Sequence, residues 1–130
     1  MIQAIYKHLS SDSELKSLLG MTDNVFKIHY INSQFDKNDY PYIVYQVSPY
    51  LAGGLIDQYR LELRICVKDE FLLESITKKV MDLLHFRPYS KSFKVSNRII
   101  YHSKHSGTGV IYDEELKVFE QVLNFILKVQ

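Results

Sequence analysis

Tyr59 to Lys68 read YRLELRICVK, ten residues with an apolar side chain at nearly every second position. Successive side chains of an extended chain point to opposite faces, so this period of two marks a strand buried on one side. Tyr59, Leu61, Leu63, Ile65 and Val67 share the buried face. Arg60, Glu62, Arg64, Cys66 and Lys68 share the other. A helix would scatter these apolar groups round its whole circumference.

Upstream, Tyr40 to Tyr50 read YPYIVYQVSPY and alternate again from Tyr42. Pro41 suits a strand start, where its missing N–H costs least. Tyr42, Val44 and Gln46 face one way; Ile43, Tyr45 and Val47 face the other. Leu51 to Asp57, LAGGLID, joins the two runs through Gly53 and Gly54, which predicts an antiparallel hairpin with a long loop. The tyrosines could form a base-stacking platform, but no Lys or Arg lies between Lys37 and Arg60, and stacking platforms need a cationic groove beside them. A packed strand is the stronger reading, with at least one of Tyr42 and Tyr45 in the core.

Downstream, Asp69 is placed to cap a helix over Glu70–His85, with Leu72, Ile76, Val80, Leu83 and Leu84 on one stripe and Pro88 beyond its end. Phe93 to His102 alternates and predicts one further strand. Ser103 to Asp113 begins SKHSGTG and predicts an exposed loop. Leu116 to Val129 reads two ways. A helix would stripe Val118, Val122, Phe125, Ile126 and Val129; a strand would align Phe119, Leu123, Phe125, Leu127 and Val129. Periodicity does not choose between them.

The N-terminal part predicts two short helices, or one kinked at Ser10–Ser11. Ser11 and Glu14 form a capping-box pattern, and Gly20 suits a left-handed helix end. Val25–Tyr30 reads as a short strand, and Ile31–Asp39 as an exposed polar loop. The sum is one α+β domain over residues 1–130, with a mainly antiparallel sheet and helices packed on one face.

Composition bounds the function. The chain has 130 residues, 46% of them hydrophobic, enough for one packed domain. Sixteen Lys and Arg against fifteen Asp and Glu leave a net charge of +1, without the basic excess of a duplex-binding domain. MIQAIYKHLSSD lacks a long apolar core and a small-residue cleavage site, which predicts no secretory signal. No apolar run approaches membrane-spanning length. Cys66 is the single cysteine, so no intramolecular disulfide forms, and its strand position favours a buried hydrophobe over a reactive thiol.

Candidate chemistry is sparse. His102 and His105 could begin a metal site, but no third ligand stands at useful spacing. Asp113, Glu114 and Glu115 could bind Mg²⁺ or act as a base, though like-charge runs are more often solvated. Gly107-Thr108-Gly109 lacks the Lys-Ser/Thr ending of a phosphate loop. An enzyme assembled from His102, His105 and Asp113 is thus the weakest of three readings; an adaptor that binds another protein through its loops is the second.

The first comes from a resemblance. SELKSLLG, then YPYIVYQV, a Gly-containing loop, YRLELRICVK and DEFLLESITKKVMDLLH together resemble the tail-completion or tail-terminator proteins of long-tailed bacteriophages and prophages, and their neighbours in the head–tail connector. The resemblance spans roughly residues 2–125 and rests on element order and length. It implies a ring-forming subunit, commonly a hexamer, that caps the tail tube and joins it to the connector. It implies no catalytic residue, cofactor or metal. The implied partners are further copies of the chain, a head-completion or connector protein and the tail tube protein, with no membrane and no sequence-specific nucleic acid. The implied place is the head–tail junction of a virion, after synthesis in a bacterial cytoplasm. The family's extended C-terminal segment favours a strand at Leu116–Val129. Protein-contact candidates are Asn32, Phe35, Asp36 and Lys37 in the first loop, Leu51, Gly53, Gly54 and Leu55 in the second, and His105, Tyr112 and Asp113 in the third.

Overall fold

A computed structural model describes residues 1–51 and 57–130. Helices α1 (Ile2–Ser10), α2 (Ser13–Leu19) and α3 (Glu70–Leu84) pack on one face of a six-stranded sheet. The strands are β1 (Ile28–Tyr30), β2 (Tyr42–Leu51), β3 (Asp57–Val67), β4 (Phe93–Val95), β5 (Arg98–Asp113) and β6 (Val118–Val129). Their order is β1-β2-β3-β6-β5-β4, and every pairing is antiparallel except β1 with β2. The α+β class read from the sequence is the class observed.

The period of two in β3 sets the centre of the molecule. Leu61, Leu63, Ile65 and Val67 have no exposed surface, while Arg60, Arg64 and Lys68 on the other side are exposed. β2 meets β3 with Ile43 opposite Ile65 and Tyr45 opposite Leu63, so the two apolar faces coincide. Each such side chain contributes about 1.5–3 kcal/mol by leaving water. On α3 the buried stripe is Leu73, Ile76, Val80 and Leu84; Leu72 and Leu83 flank it half-buried. Asp69 caps this helix, its carboxylate accepting the Phe71 amide at 3.0 Å.

Three expectations need correction. The cap of α2 is Asp12, not Ser11: the Asp12 carboxylate accepts the Leu15 amide at 2.9 Å, and Ser11 closes α1 instead. Phe93–His102 is not one strand. Ser96 adopts a positive φ of 55° and turns the chain back, so Val95 pairs with Arg98.

Ser103–Asp113 is not a loop but the greater part of β5. Its polar residues find ladder partners on β6, from Ser103 with Leu127 to Asp113 with Val118. The register shifts between His105 and Gly107, where a bulge takes up the extra residue beside a glycine. His105, Tyr112 and Asp113 therefore lie in a strand. Of the two readings left open for residues 116–129, the strand favoured by the resemblance is the one observed. Leu116 lies in a turn, and β6 buries Leu123, Phe125, Leu127 and Val129 on one face.

Candidate interaction surfaces

The segment between β1 and β2 is a loop as expected, and its side chains anchor it. Phe35 stacks on His29 with ring centroids 4.0 Å apart and meets Tyr42 edge-on at 5.1 Å. The Tyr42 hydroxyl donates to the Lys37 carbonyl at 3.1 Å, and the Asp36 carboxylate accepts the Asn38 amide at 3.0 Å. Lys27 is buried, its ammonium 3.2 Å from the Asp39 carboxylate and bonded to the Asp39 carbonyl at 3.0 Å. Asn32, Asp36 and Lys37 are exposed on this framework, and Phe35 is half-buried. Tyr45 is buried on the helix side and donates to the Ile2 carbonyl at 2.8 Å, so both tyrosines pack. Burial pushes the Tyr45 hydroxyl up to about 12. In the second loop, Leu51 ends β2, whereas Gly53, Gly54 and Leu55 fall outside the described residues.

On β5 the sequence candidates have structural employment. The His105 amide donates to Nδ1 of His85 at 3.0 Å, and its ring rests 5.5 Å from that of Phe125. Nε2 of His105 is buried without a hydrogen-bond partner. His102 lies three residues away, and among the described residues no three His, Cys, Asp or Glu groups gather at metal-binding distance. Asp113 caps the turn into β6 by accepting the amides of Glu115 and Leu116 at 3.0 and 3.1 Å. Cys66 is buried, and desolvation with Glu120 nearby pushes its thiol up to about 11, well away from a reactive thiolate.

Two sheet edges were not anticipated. The outer side of β5 is covered by β4 at residues 98–100, then by amides of Tyr89 and Phe86 bonded to the Tyr101 and Ser103 carbonyls, then by His85. From Ser106 to Asp113 no strand pairs on that side among the described residues. Val110, Ile111 and Tyr112 stand exposed there, with Leu116 in the adjoining turn. A groove of about 520 Å³, with Val110 and Phe119 on one wall and Leu73 and Thr77 of α3 on the other, runs beside it. The opposite edge, at β1, exposes Val25, Phe26, Ile31 and, from α1, Ile2. Phe26 and Ile2 line a common groove of about 460 Å³ with Tyr30 and Tyr45. Short apolar stretches such as VIY carry no signal in the sequence that would separate an exposed edge from a core strand.

The face of the sheet away from the helices is polar. Arg64 bridges Glu62 at 2.9 Å and Glu120 at 3.0 Å. Arg60 lies over the ring of Tyr50 at 5.5 Å, and Lys68 over that of Tyr40 at 5.5 Å. Cations from the next strand thus reach tyrosines that seemed isolated from charge. Arg60, Lys104 and Lys128 form no ion pair among the described residues. The His102 imidazole titrates below its ordinary value, through burial first and then through Lys128, Lys104 and His85.

No family model matches the sequence, and no curated protein matches it. Solved structures do match the fold. A chain from the virion of a native gene transfer agent particle superposes with a TM-score of 0.72 at 14% identity, covering 98% of this chain and 92% of that one. A second solved protein superposes at 0.66 with 13% identity and the same coverage. The chain therefore shares one complete fold, end to end, with a protein of that virion.

Proposed function

We propose that this protein is a structural subunit of a phage-type particle, a tail-terminator or tail-completion protein that acts as a ring at the head–tail junction. The observation that carries the reading is the end-to-end likeness in fold to a component of a virion, over nearly the full length of both chains. The resemblance in element order, read independently from the sequence, points to the same class of protein.

The two exposed edges support assembly through unlike surfaces. β1 and β5 differ in sequence, direction of pairing and neighbouring groove, so a contact between them is heterologous. Heterologous contacts close into rings when the rotation between copies permits. Unpaired strand edges and exposed apolar side chains are what a subunit holds for its neighbours. The anchored loop with Asn32, Asp36 and Lys37 flanks one edge, and Tyr112 and Asp113 end the other. Contacts with the connector and tail tube proteins fall to these rims.

Light scattering at high protein concentration, with and without purified tail tubes, tests the reading. A discrete ring or a tube-capping complex is expected. Phe26→Asp and Ile111→Asp should each abolish it while leaving the thermal melt of the subunit near that of the parent. A protein that stays monomeric with tubes present, and fails to complement a tail-terminator-defective phage, would overturn the proposal.

A further inference from the structure

The helix-free face of the sheet holds a cluster of cations that the near-neutral net charge conceals. Arg60 of β3 and Lys104 of β5 both stand opposite Ile126 of β6, one on either side. Residues in register share a face, so these two groups flank Ile126 with their Cα atoms about 10 Å apart, two strand spacings. One row along β6, about 7 Å away, Lys128 stands beside His102. On the other side of the Ile126 row from Lys128, Arg60, Ser106 and Asn124 line a shallow polar depression of about 230 Å³. The carboxylates paired into this face nearby, Glu62 and Glu120, both engage Arg64.

We propose that this face binds the phosphodiester backbone of nucleic acid without reading its sequence, through Arg60, Lys104, Lys128 and His102. Three cations on two rows, with neutral donors beside them, suit a chain of repeated anionic groups better than a single carboxylate or phosphate. Protein interfaces centre on a desolvated apolar core ringed by polar groups. Among the described residues, Arg60, Lys104, Lys128 and the His102 imidazole surround a half-exposed Ile126, with the Tyr50 ring against Arg60 at the margin. That is too little apolar surface for the core of an interface with an acidic protein. Asn124 and Ser106 supply neutral donors of the kind that contact phosphate oxygens. The inference stands apart from ring formation: binding is read on the subunit itself, so either proposal can fail alone.

The test is fluorescence anisotropy with a labelled duplex of about 20 base pairs, a probe of backbone contact, between 50 and 200 mM salt. The parent should bind weakly and lose affinity steeply with salt. R60Q/K104Q/K128Q should bind at least tenfold less tightly at the lower salt, with the log–log salt slope reduced by about two to three, close to 0.9 per lost contact. K16Q/K78Q/K117Q removes the same charge elsewhere and should stay within about threefold of the parent. If the first triple variant melts lower than the parent, R60Q and K104Q alone carry the test, each lowering the slope by about one. Equal losses in both triple variants, no binding by the parent, or a preference for polyglutamate over the duplex would each overturn the proposal.

Discussion

Lys27 shows how one side chain ties a loop to the sheet. Its ammonium is buried and answered by both the carbonyl and the carboxylate of Asp39, while that carboxylate is more than half exposed. Solvent screening on the Asp39 side reduces what the pair contributes, yet removing the carboxylate leaves a buried charge half-satisfied. Asp39→Ala should therefore cost about 1–2 kcal/mol, and Lys27→Met, which removes the charge but keeps the volume, should cost less. Urea melts of the two variants decide the order; a larger loss in Lys27→Met would mean the stem and its hydrogen bonds matter more than the charge. Leu63 and Ile76 lie wholly within one core, so Leu63→Ala or Ile76→Ala should cost about 2–5 kcal/mol. Melts matching the parent would show that these positions repack freely. Period-two and helical spacing had already put both residues inside, because each pattern depends only on near neighbours.

At the scale of elements, α2 illustrates how little chain a helix needs when both ends are capped. Seven residues sit between Asp12, whose carboxylate takes the Leu15 amide, and Gly20, whose φ of 69° ends the helix in the left-handed region. Nothing lies within 4 Å of a Cβ built on Gly20, so Gly20→Ala would meet only the backbone penalty. That penalty is about 1–2 kcal/mol, and Asp12→Ala should cost about 1 kcal/mol through the lost cap. Thermal melts check both; a neutral Gly20→Ala would mean that α2 frays at little cost. Gly20 was legible from the sequence because the conformation needs that residue type. The cap was misplaced by one position because Ser11 and Asp12 are both good capping groups, and only the path of α1 decides which one is free to cap.

At the scale of the whole molecule, burial of imidazoles makes stability depend on pH. His8 stacks on Phe93 at 3.8 Å and bonds the Leu83 carbonyl at 2.8 Å, joining α1, α3 and β4. Desolvation lowers its pKa, and burial lowers those of His29 and His102 as well. A group harder to protonate when folded stabilises the fold above its unfolded pKa, about 6.5. That contribution is lost as pH falls through the folded value. The melting temperature should thus be level near neutrality and drop below about pH 6.5. His8→Gln should melt lower at neutral pH but show a shallower drop, since one of the three groups no longer titrates. An unchanged drop in His8→Gln would assign the pH dependence to His29 and His102.

The sequence by itself determined the elements whose cause is local. The half-buried β3, the Asp69-capped α3, the β2–β3 hairpin and the Gly20 stop all follow from side-chain period, cap chemistry or backbone freedom within a few residues. The tertiary structure decided the rest. Ser103–Asp113 is a strand because β6 supplies its hydrogen bonds, and residues 118–129 are a strand because β3 and β5 lie on either side. β6 follows β5 across a four-residue turn, but its other partner, β3, ends more than fifty residues earlier. No short window on the sequence contains that ladder, and β5 and β6 form as strands on the sheet that β3 begins. The same holds for the cations around Ile126, which three strands bring to one face while the composition shows only their near cancellation.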